Sequence, residues 1–251
     1  AATTTGSTGS DAATSGSISV TAGTAGVIKG TGSLVTGAAT VNTTAAGGSD
    51  TATVGSITLS GNEVTREGTT GADTAFVVTF GTANSNGGTN TAGKLNVTTD
   101  GSAAAGEIRI TSAAALTVGE LNTTNADQTT VDIRTTAGAL TVAGSGTTAG
   151  NQLDLDIDAV TLKGFSGLTV ATGTDDELKF GSLTLQVTDA GNLVISNAIT
   201  GTARTGNTPV TSGDITLTTA SGDVQIDAAV STGAATTTGS TGSDAATSGS
   251  I

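Results

Sequence analysis

Three carboxylates that alternate with aliphatics, Asp154, Asp156 and Asp158 in the run LDLDID, and three that adjoin, Asp175, Asp176 and Glu177, are the groups in this chain best suited to chemistry. Hard oxygen ligands of this kind suit Ca²⁺, which gathers roughly six to eight oxygens around itself. With Leu153, Leu155 and Ile157 turned to one face of a strand, the aspartates share the other, neighbours standing about 7 Å apart on a rise of about 3.4 Å per residue. That spacing makes a solvated acidic row, not one tight site. Asp175, Asp176 and Glu177, placed in a loop, are the closer-set candidate for weak Ca²⁺ binding, and no other metal or cofactor is indicated. The glycine-rich Ca²⁺ nonapeptide of β-rolls is absent.

Catalysis has less to draw on. The chain has no His and no Cys, which removes hydrolytic triads and the familiar zinc sites and leaves carboxylate, Lys or Arg chemistry. Arg66 beside Glu67, and Arg109 with Glu63, are the pairs a polysaccharide-cleaving site would use. No Tyr or Trp offers a sugar a stacking platform, and such pairs are ordinarily surface charges. Asn-x-Thr triplets at Asn42, Asn96 and Asn122 are at chance level in a chain this rich in Thr. A non-catalytic protein is expected.

The chain that must position these residues has 251 residues, with 38 Gly, one Pro (Pro209) and four aromatics, Phe76, Phe80, Phe165 and Phe180. Without large aromatics a thick core is hard to fill, whereas a narrow tube lined by Val, Ile, Leu and Ala fills naturally. Its 21 acidic and 8 basic residues give a net charge of −13, which repels phosphates and anionic membrane surfaces. No nucleic-acid partner is expected, and no run approaches the roughly eighteen apolar residues of a membrane span. Lack of Cys rules out disulfides and fits, without requiring, an oxidising extracellular compartment. With neither Met nor a leader, residue 1 reads as a cut into a longer polypeptide.

Strand signals recur along the whole chain. In Gly213 to Val230, GDITLTTASGDVQIDAAV, Ile215 and Leu217, then Val224 and Ile226, sit two apart with polar residues between them, the period of a strand with one buried face. The phrase glycine, any residue, aliphatic, any residue, aliphatic recurs at Gly16 with Ile18, Gly55 with Ile57, Gly93 with Leu95, Gly181 with Leu183 and Gly213 with Ile215, and likewise at Gly106, Gly138 and Gly191. Residues 1–18 and 234–251 are the same eighteen letters, AATTTGSTGSDAATSGSI, at an offset of 233. Residues 1–233 therefore read as one period of a tandem array and 234–251 as the start of the next identical copy. An overlap introduced by design would still lead residue 233 into residue 1. Taking Ile18, Ile57, Leu95, Val131, Leu153, Leu183 and Ile215 as heads of successive leading strands, closing at Ile251, gives spacings of 22 to 39 residues.

A leading strand, a tight turn, a second strand and a long return describe one coil of a parallel β-helix. The fold class expected is all-β, a β-solenoid of about seven coils per 233-residue period, with 1–15, 82–92 and 202–212 as loops on the frame. A string of β-sandwich domains is the competing fold; those cores ordinarily use a Trp or Tyr and do not restate one parallel phrase.

The phrases GDITLTTASGDVQIDAAV, GSLTLQVTDAGNLVIS and GSISVTAGTAGVI resemble the coils of filamentous-haemagglutinin-type adhesins and of autotransporter passenger regions. The resemblance implies a right-handed β-helix, secreted by Gram-negative bacteria and displayed at the cell surface. The function expected is that of a structural repeat module in a long extracellular fibre, adhesin shaft or surface filament. Its partners would be the preceding and following copies, stacked axially, and laterally other filaments. The alternative is an adhesin repeat that recognises a glycan or protein on another cell through 82–92 or 202–212.

Overall fold

The computed structural model describes residues 1–6, 10–23, 26–43, 49–61, 63–65, 75–85, 87–98, 107–143, 153–171, 178–201, 203–206, 210–238 and 245–251, with backbone alone for 43, 123–129, 153–158, 178–179 and 204. Among these residues the chain is all-β with no helix. Every strand pairing is parallel. This follows from the composition: β-branched Thr, Val and Ile fit a pleated surface, and parallel partners far apart in sequence need the long returns that the Gly/Thr/Ala segments supply.

Two columns of in-register residues carry the main sheet. In the first, Ile18 lies opposite Ile57, Ile57 opposite Leu95 and Leu95 opposite Val118, and the column runs on through Val142, Val170 and Ile195 to Ile226. In the second, Ile28, Val64, Ile108, Val131, Val160, Leu183 and Ile215 stack in turn. The first column forks where the register slips between Leu95 and Asn96: Val97 faces Leu121, which faces Leu153, and from there Leu155 faces Leu178. Side chains alternate along the strands, buried then half-buried in Ile57–Ser60, Leu95–Thr98 and Leu140–Ala143. In the interior of both columns an Ile, Leu or Val sits between two others, and burying each contributes about 1.5–3 kcal/mol. A second, smaller core of Ala13, Ala39, Val41, Ala52 and Val54 is joined to the first by Phe80, which packs on both.

Three expectations are corrected. Ile18, Ile57 and Leu95 share a column, but Val131, Leu183 and Ile215 belong to that of Ile28, and Leu153 lies on the fork, so the seven heads are not equivalent positions. Period-two alternation identifies a strand without saying which column it joins. Second, much of 1–15, 82–92 and 202–212 is strand: Ala2–Gly6, Ala39–Thr43 and Ala83–Ser85 form one sheet, Ala12–Thr14, Thr51–Thr53 and Thr89–Thr91 another, and Arg204–Gly206 and Val210–Thr211 pair with Ala235–Thr237 and Ala246–Thr247. Here Ala fills the interior, with Ala13, Ala39 and Ala52 buried, and Thr takes the pleat. Third, Gly181 does not open a strand; the strand Leu178–Val187 runs through it.

Position along the stack predicts the cost of truncation. Ile110→Ala, at a fully buried site, is expected to remove about 2–5 kcal/mol of stability, and Ile226→Ala, at a half-exposed end position, less than half of that. Urea denaturation followed by far-ultraviolet circular dichroism checks this; equal losses would show that Ile226 is as enclosed as Ile110.

Candidate functional site

The residues singled out for chemistry do not converge. Asp154, Asp156 and Asp158 lie on the strand Leu153–Gly164, Asp154 opposite Asn122 and Asp156 opposite Lys179, and their side chains lie outside the described residues. So do Asp175, Asp176 and Glu177 altogether, as well as Arg66 and Glu67. Among the described residues no three His, Cys, Asp or Glu side chains gather where a metal ion would fit. Arg109 does not face Glu63: its Nε donates to Glu107 Oε2 at 2.7 Å and its terminal nitrogen to Glu107 Oε1 at 3.1 Å, two residues away on the same strand. Glu63 instead accepts from Thr65 Oγ1 at 2.8 Å and has Lys29 Nζ at 3.9 Å. One pass on, Arg134 pairs with Asp132 in the same way. Arg109 stands opposite Asp132 in the register, a cross-strand pair of opposite charge worth at most about 1 kcal/mol, whereas Arg134 stands opposite Lys163.

A different set of residues does recur in one place: the corner that precedes the strands Ile18–Thr21, Ile57–Ser60, Leu95–Thr98 and Asp214–Thr219. A Cβ on Gly55 would run into the carbonyl oxygen of Gly16, and one on Gly93 would stand 2.6 Å from the oxygen of Gly55. The corner is closed by serine. Buried Ser15 accepts the Gly55 N–H on its Oγ at 2.9 Å, and Ser17 accepts the Ser56 N–H at 3.1 Å. At the far end of the chain the same bonds return. Buried Ser212 accepts the Gly249 N–H at 2.6 Å, Asp214 Oδ1 accepts the Ser250 N–H at 2.7 Å, and a Cβ on Gly249 would meet the oxygen of Gly213. Ile215 N–H donates to Ser250 O at 2.8 Å, as Ile18 N–H does to Ser56 O at 2.9 Å, one residue before its partner Ile57. Sequence reading picked out the glycines, Gly16, Gly55, Gly93 and Gly213, but missed the serines; a Ser directly before Gly at 15, 212 and 248 was the available signal.

The stack has two open edges. Among the described residues, Ile18–Thr21, Val27–Lys29 and Ser33–Val35 have a partner strand on one side, and at the other end so have Asp214–Thr219, Val224–Ile226 and Val230–Ser231, with Ser250 bonded to the start of Asp214–Thr219. Every exposed large aliphatic among the described residues lies on the first or last pass: Val27, Val35, Val224, Ile226 and Ile251. Ile18 and Val20, inward but uncovered, are half-buried, while their partners Ile57 and Leu59 are fully buried. Unpaired backbone with uncovered aliphatics is a surface that another strand completes. Within 234–251, identical in sequence to 1–18, Ala235–Thr237, Ala246–Thr247 and Gly249 with Ser250 already occupy part of one such edge.

Comparison with protein-family models, with curated proteins and with solved structures finds no match.

Gly16 and Gly249 are the same residue of the repeat in two settings, and they are expected to respond differently. Around Gly16 nothing lies within 4 Å of an added Cβ, whereas Gly249 has the Gly213 carbonyl in the way. Gly16→Ala should leave the melting temperature nearly unchanged. Gly55→Ala, deep in the stack, should destabilise by about 1–3 kcal/mol through overpacking, and Gly249→Ala should release the 249–251 segment, read as faster amide hydrogen exchange at Ile215. Equal behaviour of Gly16→Ala and Gly55→Ala would remove the steric argument.

Proposed function

We propose that residues 1–233 are one period, and 234–251 the beginning of the next, of a tandem parallel β-helix whose role is structural. The single observation that carries this is the junction: the second copy's opening residues stack on the first copy's last pass through the same glycine, serine and backbone contacts that join passes within the copy. A segment that returns to its own repeat's corner chemistry is a continuation of the array and needs no separate cap.

In this reading the chain is a non-catalytic shaft element of an extracellular fibre, adhesin stalk or surface filament, of the kind filamentous-haemagglutinin-type proteins build, and its partners are the copies before and after it. Right-handed coiling follows from the strong preference of parallel crossovers for that hand. With strands about 4.8 Å apart, a period of roughly seven coils advances the fibre by about 34 Å, and every interior backbone group is paired by the coils on either side. Absence of Met, Trp, Tyr and Cys and the presence of only 8 Lys and Arg leave little for oxidants or basic-site proteases to attack, which suits a chain displayed outside a bacterial cell.

Chains of one, two and four copies test this. Each added copy converts two open edges into one buried junction, so melting temperature and solubility are expected to rise from one copy to two and level off by four. Identical melting curves and solubility at all three lengths would sink the proposal.

A further inference from the structure

The repeat places one residue in two different columns. Ile18 heads the column that runs through Ile57 and Leu95 and ends at Ile226. Its other branch, through Leu121 and Leu153, ends at Leu178. Ile251 is Ile18 of the next copy, yet it lies on neither branch. Through Ser250 it extends the column of Ile215, which began at Ile28. The corner glycines say the same: Gly249, the counterpart of Gly16, sits on Gly213, not on the turn before Val224.

From this we infer that the 233-residue period is not a whole number of coils. Resting on the tandem reading above, it specifies how the next copy docks. From Ile18 to Ile28 the chain crosses one arc, from the first column to the second, and from Ile28 to Ile251 it takes seven register steps. One period is therefore seven coils plus that arc. The column of Ile28 in one copy feeds the column of Ile18 in the next, and the surface left over Val224–Ile226 is the seat of the next copy's Val27–Lys29. Lengths agree: ten residues separate Ile18 from Ile28 and nine to eleven separate Ile215 from Val224 and Ile226, both across a glycine-containing turn. The uncovered aliphatics Val224 and Ile226 are then roofed by Ile28, itself inward and buried on its own strand. Equivalent faces of successive copies consequently point in different directions about the fibre axis, and any outward feature winds around the fibre instead of lining one side.

Disulfide mapping in a chain of two complete copies tests the phase, and the absence of native Cys leaves no competing thiol. Thr216, Gln225 and Ser19 all face outward and are exposed. A first-copy Thr216→Cys combined with a second-copy Ser19→Cys is expected to close a disulfide under mild oxidation, since adjacent parallel strands bring Cα atoms to about 4.8 Å, within the range a disulfide spans. Loss of both thiols and a mobility shift on non-reducing gels report it. Gln225→Cys with the same second-copy Ser19→Cys should stay reduced. The opposite outcome, linking at 225 and not at 216, would establish a whole number of coils and overturn the phase while keeping the tandem fibre. Linking of neither pair would overturn end-to-end stacking itself, and the phase with it.

Discussion

A parallel strand offers half of its backbone hydrogen bonds to the strand above and half to the strand below, and this chain is organised around satisfying both. Antiparallel folds close their sheets with hairpins inside one domain. Here each strand's partners lie a full pass away, as Ile57 does from Ile18 and Leu95, so local sequence cannot complete the pairing and only stacking can. The arrangement has no natural end. Interior strands such as Glu107–Ser112 are paired on both sides, while among the described residues the first and last passes hold the half-exposed Val27, Val35, Val224 and Ile226.

That constraint explains the composition. Stacked identical registers put the same inward position directly over itself, so the interior accepts side chains that nest on their own kind: Ile, Leu, Val and, in the smaller core, Ala. Large aromatics would need a complementary gap on the passes above and below. Of the two buried ones, Phe76 and Phe180, the second packs against the corner glycines Gly201 and Gly213, where the missing side chains leave it room. Corners obey the same logic. Successive turns approach until a Cβ will not fit, as between Gly16 and Gly55 or Gly191 and Gly222, and the polar groups the turns expose are taken up by short side chains: Ser15 for Gly55, Thr135 for Phe165, Asn192 for Asp223.

This also marks what the sequence made legible. The strand phrase was readable wherever aliphatics alternate, because period two is a property of one strand, and glycine-first spacing located the corners at Gly16, Gly55, Gly93 and Gly213. Strands built from Thr and Ala, such as Ala2–Gly6 and Thr89–Thr91, were not readable, because they bury no large aliphatic, Thr89–Thr91 being exposed throughout, and their composition is that of a loop. Column membership was invisible for a deeper reason. Val131 and Ile57 have the same local pattern, and only pairing over 20 to 40 residues distinguishes them. Among the charged residues, Glu107 with Arg109 and Asp132 with Arg134 were hidden in plain view, two apart on one strand face; the acidic run LDLDID was conspicuous because it lacks such partners in sequence.

Identity between copies takes on physical meaning once the columns are traced. A repeat of whole coils would let each residue see the same neighbours in every copy and would tolerate a coil-sized insertion or deletion. A repeat that ends one arc out of phase asks the same residues to fit two settings. Gly16 and Ser17 must support the strand below Gly55 and Ser56, and as Gly249 and Ser250 they must also seat on Gly213 and Asp214. Ile18 must pack over Ile215 from above as well as under Ile57. In the tandem fibre proposed above, a change that suits one contact and not the other would be felt once in every period, and its destabilisation would multiply with copy number. On the phase proposed above, Gly16, Ser17 and Ile18 therefore answer to two packing environments, one open around Gly16 and one in which its counterpart Gly249 meets the Gly213 carbonyl.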